Sequence, residues 1–265
     1  MLSAHGNVTV ILSVGSWLAR RGPTGAETAG VDAPLQKQRN VLTLNLFDEA
    51  PPAYGAPEAI APGAAILRGF ALPAADALMQ GVDAVVAAAP LRHLVTPGGQ
   101  TMSVAMSNCG PLGWVSDRRG YRYSAIDPLS NQPWPVMPDG FLALAASAAA
   151  EAGFEGFTPN ACLINRYEPG ARMGLHQDRD EGGKAGDFSA PIVSVSLGLP
   201  AIFLFGGLQR KDKTTRWPLV HGDVAVWGGP SRLAFHGVAP LKDGEHAVLG
   251  ARRVNLTFRC VLVGN

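Results

Sequence analysis

Residues 161–181 read ACLINRYEPGARMGLHQDRDE. The stretch opens as a strand, turns at Glu168-Pro169-Gly170-Ala171 and returns towards His176-Gln177-Asp178. In an extended chain alternate residues share a face, so Asn165 and Tyr167 point one way together. The same period sets His176 and Asp178 side by side, with Gln177 turned away. A neutral imidazole and a carboxylate at this spacing supply two corners of a metal site. A second His from elsewhere would complete a two-His, one-carboxylate set, which leaves open positions and suits non-haem Fe(II) that must also bind a co-substrate and oxygen.

Working outward, the C-terminal run 253–259 (RVNLTFR) alternates polar and apolar residues. As a strand it places Arg253, Asn255, Thr257 and Arg259 on one face. Two arginines on an interior-leaning face are costly unless an anion neutralises them. Two guanidinium forks about two strand repeats apart suit a small dicarboxylate, and beside iron that dicarboxylate reads as 2-oxoglutarate. His236, in LAFHG (233–237) between the first pair and the arginines, is the expected third metal ligand. His5, His93 and His246 sit in loop or extension contexts. A second His-x-Asp, His221-Gly-Asp223, directly precedes the apolar run 224–227 and reads as a turn opening a strand.

From 161 onward short strands are expected at 191–199, 201–205, 219–220, 224–227, 233–235 and 253–259, punctuated by Gly, Pro and Asp, which indicates a sandwich or jelly roll. Earlier, a strand is expected over 64–70 and an amphipathic helix over 73–89, with Leu78, Val82, Val85, Val86 and Ala89 on one stripe. Another strand follows over 101–106. A helix capped by Asp139 then runs to about 152 and buries Phe141, Leu144, Ala145 and Ala148. Residues 1–43 carry no sustained periodicity and read as a flexible extension, with order expected from about 44–47 and one domain over 44–265.

The 265 residues carry a net charge of +1, with 47% hydrophobic and 16% charged residues. That is a globular composition without a global pull towards nucleic acid. Local basic groups stand out: Arg118, Arg119 and Arg122; Arg210, Lys211, Lys213 and Arg216; Arg252 and Arg253. The 3 cysteines, Cys109, Cys162 and Cys260, form no CxxC, which excludes a zinc ribbon or disulfide framework. Cys162 and Cys260 read as buried small hydrophobes. No apolar run is long enough to span a bilayer and no basic leader precedes residues 8–19, so a cytoplasmic protein without membrane association is expected.

The phrases TPGGQTMSVAMSNCGPLGW (96–114), CLINRYEPGARMGLHQDRDE (162–181), APIVSVSLGLPAIFLFGGLQR (190–210), HGDVAVWGG (221–229), SRLAFHGV (231–238) and RVNLTFR (253–259) together resemble the AlkB family of Fe(II)- and 2-oxoglutarate-dependent nucleic-acid dealkylases, its bacterial branch most closely. The resemblance implies a mainly β fold with flanking helices: a double-stranded β-helix (jelly-roll) core over about 161–262, with a nucleotide-recognition lid over about 96–123. It implies Fe(II) held by His176, Asp178 and His236, and 2-oxoglutarate held by Asn165, Tyr167, Arg253, Asn255 and Arg259. In that assignment Arg253 takes the distal carboxylate, while Arg259 and Asn165 lie near the chelating end. It further implies that Trp114 stacks on a flipped base opposite His176, that Thr96, Tyr121 and Arg210 hold the strand, and that Asp180 meets the base edge. The implied activity uses O2 to demethylate bases such as 1-methyladenine and 3-methylcytosine in DNA and RNA, single strands favoured, by a monomer. An oxygenase acting on protein or a small molecule, and a non-catalytic reader of alkylated bases, are the alternatives. The loop 182–188 is expected to be longer than the family's usual turn.

Overall fold

The computed structural model describes residues 55–181 and 188–262. The expected extension over 1–43, the start of order at 44–47 and most of the loop 182–188 lie outside the described residues. In chain order the described residues form β1 (Glu58–Ala61), β2 (Ala64–Leu67), α1 (Ala75–Ala88), β3 (Arg92–Val95), β4 (Thr101–Cys109), β5 (Gly113–Asp117), β6 (Gly120–Ser124), α2 (Asp139–Glu151), β7 (Ala161–Tyr167), β8 (Met173–His176), β9 (Ile192–Gly198), β10 (Ala201–Phe205), β11 (Thr215–Leu219), β12 (Val224–Trp227), β13 (His236–Val238) and β14 (Arg253–Arg259). A large antiparallel sheet runs β1-β2-β12-β9-β14-β7-β4-β3. A smaller one runs β11-β10-β13-β8, and β5-β6 is a separate hairpin.

The alternation along β7, β9 and β14 gives the large sheet two unlike faces. Ile164, Val193, Val195, Leu256 and Phe258 pack with Leu78, Val82 and Val85 of α1 and with Phe141, Ala145 and Ala148 of α2. Each such fully buried aliphatic side chain contributes about 1.5–3 kcal/mol. On the other face Ile66, Ile192 and Trp227 meet Phe203 and Phe205 of the small sheet, while Leu163 and Tyr167 pack with Ala201 and Val238. The two facing sheets make the jelly roll. The same inner face carries the buried polar set Asn165, Ser194, Ser196, Arg253, Asn255, Thr257 and Arg259. Register fixes their neighbours: Arg253 lies opposite Tyr167 and Asn255 opposite Asn165.

Several expected boundaries move. The strand expected over 64–70 stops at Leu67, because the next residues turn to Asp223, whose carboxylate accepts from the Gly69 N–H at 2.9 Å and from Arg68 Nη1 at 2.8 Å. Asp139 is the first residue of α2 and makes no capping bond; Pro138 occupies the cap position. Its carboxylate acts on the helix dipole instead. The strand expected at 233–235 forms at His236–Val238. The β core does not begin at 161, since β1 to β4 supply half of the large sheet. Within 96–123, β4 is a strand of that sheet, so only the 96–100 turn and the β5-β6 hairpin project from it. Cys260 is half-buried, whereas Cys109 and Cys162 are buried opposite each other on β4 and β7. Among the described residues no helix is long and apolar enough to cross a membrane.

Candidate metal centre and substrate site

β8 and β13 pair antiparallel with His176 opposite His236. Their close approach requires Gly237, where a Cβ would stand 2.7 Å from the Met173 carbonyl oxygen. The two imidazole centroids lie 4.4 Å apart. Each Nδ1–H donates to the carbonyl two residues back, His176 to Gly174 at 2.9 Å and His236 to Ala234 at 3.0 Å. Those bonds fix the tautomer and leave Nε2 as the free acceptor, as metal-binding imidazoles require. The Nε2 atoms stand 3.4 Å and 3.8 Å from Asp178 Oδ1, and the ligand atoms of the three residues lie within 4.8 Å of one another.

Charge in this cluster is set by its surroundings. Burial alone would raise the Asp178 carboxyl's pKa. The Arg259 guanidinium and the two imidazoles outweigh burial and hold it well below the usual carboxylate range. Burial, then the neighbouring His176, pushes His236 down to about 3, so it stays neutral. Burial also works against a charged His176, yet Asp178 overcomes it and the net direction is upward. The cluster therefore stabilises positive charge among two imidazoles and one carboxylate, a donor set that fits Fe(II).

Arg259 is not free for a clamp. Its Nε and Nη2 reach Asp178 Oδ2 at 2.9 Å and 2.7 Å, and Glu181 lies 3.4 Å from Nε. The dicarboxylate expected between two unneutralised arginines thus meets one arginine whose charge the protein already pairs. Arg253 is the other case. It is 1% exposed, its Nε donates to Ser196 Oγ at 2.9 Å, and its guanidinium lies 4.9 Å from the centroid of the Tyr167 ring. Among the described residues its Nη1 is buried with no partner, as is Asn165 Oδ1. A buried cationic donor without an acceptor fits a carboxylate such as one end of 2-oxoglutarate. Asn255 lies opposite Asn165 on the expected face. Both its N–H groups go to β9, to Ser194 Oγ and the Val195 carbonyl, each at 2.8 Å, and its Oδ1 accepts from Asn165 at 3.1 Å. It braces Asn165 and has no donor left for a co-substrate.

On the substrate side, Trp114 is gripped at its backbone. Asn108 accepts its N–H at 2.9 Å and donates to its carbonyl at 3.0 Å, as a neighbouring strand would. Gly113 is needed beside it, because a Cβ there would come 2.4 Å from the Trp134 ring. The Trp114 indole N–H donates to Asp180 Oδ2 at 3.0 Å, and Tyr121, 48% exposed, stacks on its ring at 5.5 Å. Trp114, Tyr121 and Asp180 are thus brought together. Arg210 is exposed on the β10-β11 loop, 5.9 Å from the centre of the Phe235 ring. Thr96 serves its own turn, where its Oγ accepts the Gln100 N–H at 3.1 Å.

Sequence reasoning missed a buried network behind the metal ligands. Glu181 accepts from the Tyr123 hydroxyl at 2.7 Å and lies 3.4 Å from Arg232, which also donates to the Asp178 carbonyl at 2.9 Å. The available signal was Arg232 itself, a charge set within the otherwise apolar SRLAFHGV.

The second His-x-Asp is structural. His221 Nδ1 accepts the Gly198 N–H at 3.0 Å and its ring lies 4.5 Å from that of His246. Asp223 is fully buried and accepts from backbone and Arg68. His221→Ala is expected to lower stability by about 1 kcal/mol, one hydrogen bond's worth, with turnover unchanged. Denaturant unfolding beside a succinate assay checks this.

Residues 63–259 match the family model of the 2OG-Fe(II) oxygenase superfamily, which sets the class. The alpha-ketoglutarate-dependent dioxygenase AlkB of Salmonella typhimurium is 55% identical over 217 residues, covering 82% of this chain and 97% of that protein. The protein of the same name from Escherichia coli is 56% identical over 216 residues, again 82% of this chain and 97% of that protein. The solved structure of OsALKBH1 superposes with a TM-score of 0.67 at 28% identity, over 77% of this chain and 99% of that chain. The chain belongs to the bacterial AlkB family of Fe(II)- and 2-oxoglutarate-dependent dioxygenases.

Proposed function

We propose that the chain removes N-methyl groups oxidatively from bases in nucleic acid, 1-methyladenine and 3-methylcytosine above all, and so reverses alkylation damage directly. Single-stranded DNA is the favoured substrate, with duplex DNA and RNA also accepted, and the protein works as a cytoplasmic monomer. The observation that carries the reading is the held aromatic platform on a basic hairpin. Trp114, fixed at its backbone by Asn108 and at its indole by Asp180, stands on β5 and packs against the same apolar cluster as Met173 of the strand that ends in His176. A base must leave its stack to reach a metal centre, and an aromatic face holds any base once it has left.

Iron(II) with 2-oxoglutarate and dioxygen supplies the oxidation of the methyl carbon, which departs as formaldehyde while 2-oxoglutarate becomes succinate and carbon dioxide. The chain's residues supply the rest. His176, Asp178 and His236 would hold the metal, and Arg259 keeps Asp178 ionised for it. Arg253 would take a carboxylate through its open Nη1, with Tyr167 beneath its guanidinium and Asn165 alongside. Phe203 and Trp227, 5.7 Å apart, with the Trp227 ring 4.8 Å from His236, wall that side of the metal with aromatic rings. Tyr121, Arg210 and Thr96 would hold the strand while Asp180 meets the base edge.

The test separates this reading from an oxygenase for protein or small molecules. Trp114→Ala is expected to raise KM for a methylated oligonucleotide by about 5- to 150-fold, the equivalent of ~1–3 kcal/mol of stacking, while KM for 2-oxoglutarate stays near wild type. Unchanged turnover of the oligonucleotide would overturn the platform.

A further inference from the structure

We propose that Gln177, the residue between the two metal-binding side chains His176 and Asp178, is a positioning residue for Arg210. The inference rests on the reading of Arg210 as a nucleic-acid contact. Three segments run side by side where the small sheet ends. Phe205 of β10 pairs with His236 of β13, which pairs with His176 of β8. One step further, β10 and the approach to β13 still exchange backbone bonds, Gly206 N–H to the Phe235 carbonyl and Phe235 N–H to the Gly207 carbonyl, both at 2.8 Å. There the ladder stops.

Beyond it, the Gln177 carboxamide takes over. Its Nε2 donates to the Leu208 carbonyl at 3.3 Å and to the Leu233 carbonyl. A carboxamide nitrogen has two N–H groups, and here each has a carbonyl from a different segment. One side chain therefore ties the loop that carries Arg210 both to the metal-bearing β8 and to the approach to His236. Leu208 itself is exposed, so its carbonyl bond to Gln177 substitutes for packing that the loop lacks. Arg210 lies two residues on, over Phe235, which belongs to the segment Gln177 also grips. The Gln177 carboxamide bonds two backbone carbonyls rather than a metal-ligand side chain. Its effect reaches substrate through the loop.

The test is a double-mutant cycle on Gln177→Met and Arg210→Ala. Affinity would be measured by anisotropy of a fluorescent single-stranded oligonucleotide carrying one 1-methyladenine, without oxygen, with Fe(II) and 2-oxoglutarate present, across a salt series. Each single variant is expected to bind about fivefold more weakly and to lose about 0.7 from the slope of log affinity against log salt, one phosphate contact on a single strand. The double variant should match Arg210→Ala alone, because a brace has nothing to position once the arginine is gone. The visible band of the Fe(II)–2-oxoglutarate complex should persist in Gln177→Met. Additive losses, an unchanged salt slope in Gln177→Met, or loss of that band would overturn the proposal. Should Gln177→Met fail to fold, the isosteric Gln177→Glu, which lacks the donors, enters the same cycle with the same expectation of non-additivity. Wild-type affinity and slope in Arg210→Ala would mean that the nucleic-acid reading of Arg210 has failed. An effect of Arg210→Ala with none from Gln177→Met overturns the brace alone.

Discussion

Asp178→Ala is expected to abolish iron-dependent turnover and to destabilise the protein by about 3–5 kcal/mol even without metal, the cost of breaking a buried ion pair from one side. Both effects come from one carboxylate with two duties. Oδ1 faces the imidazole nitrogens of His176 and His236, while Oδ2 receives Nε and Nη2 of Arg259. Truncation leaves Arg259, 7% exposed, with Glu181 at 3.4 Å as its remaining carboxylate. Asp178→Asn keeps the shape and should soften the stability loss without restoring turnover. Urea unfolding of the metal-free proteins beside a succinate assay separates the two effects. Wild-type stability in Asp178→Ala would show that Glu181 suffices for Arg259.

Arg253→Met is expected to separate the same two quantities in the opposite way. Affinity for 2-oxoglutarate should fall by about 30-fold or more, the ~2–5 kcal/mol lost when one partner of a buried charge pair is truncated. The co-substrate-free protein should be as stable as wild type or more so, since Arg253 buries a cation whose Nη1 has no acceptor among the described residues, and apolar replacement of such a group is often neutral or favourable. Quenching of protein fluorescence by 2-oxoglutarate, with thermal unfolding in its absence, measures both. Unchanged 2-oxoglutarate affinity would remove Arg253 from the co-substrate site. A large loss of stability without co-substrate would give Arg253 a structural role instead.

What was legible in the sequence follows from which signals are local. RVNLTFR forms β14 over the expected residues because polar and apolar positions alternate without a break, so its faces could be assigned before any partner was known. His176 and Asp178 were readable for the same reason, and His236 because it stands in a short strand-like run. The β-strand Glu58–Ala61 was missed because EAIA is too short to show a period. The pairing of Arg259 with Asp178, 81 residues apart, and of Arg232 with Glu181, 51 apart, has no local signature at all. Facing arginines on one strand could be counted, but which of them the protein neutralises depends on what folds against them. Asn255 shows the same limit. Its face was right, and its donors were committed to β9, a partner the sequence could not assign.

The most direct test of the dealkylase assignment is mass spectrometry of a single-stranded oligonucleotide carrying one 1-methyladenine, incubated in air with the protein, Fe(II), 2-oxoglutarate and ascorbate, with His176→Ala in parallel. The expected result is loss of one methylene mass, with succinate formed, by wild type only. Succinate with no change in the oligonucleotide would contradict the nucleic-acid substrate and point to an oxygenase for another target. Neither product, from protein shown to hold iron, would contradict catalysis itself and leave a reader of alkylated bases.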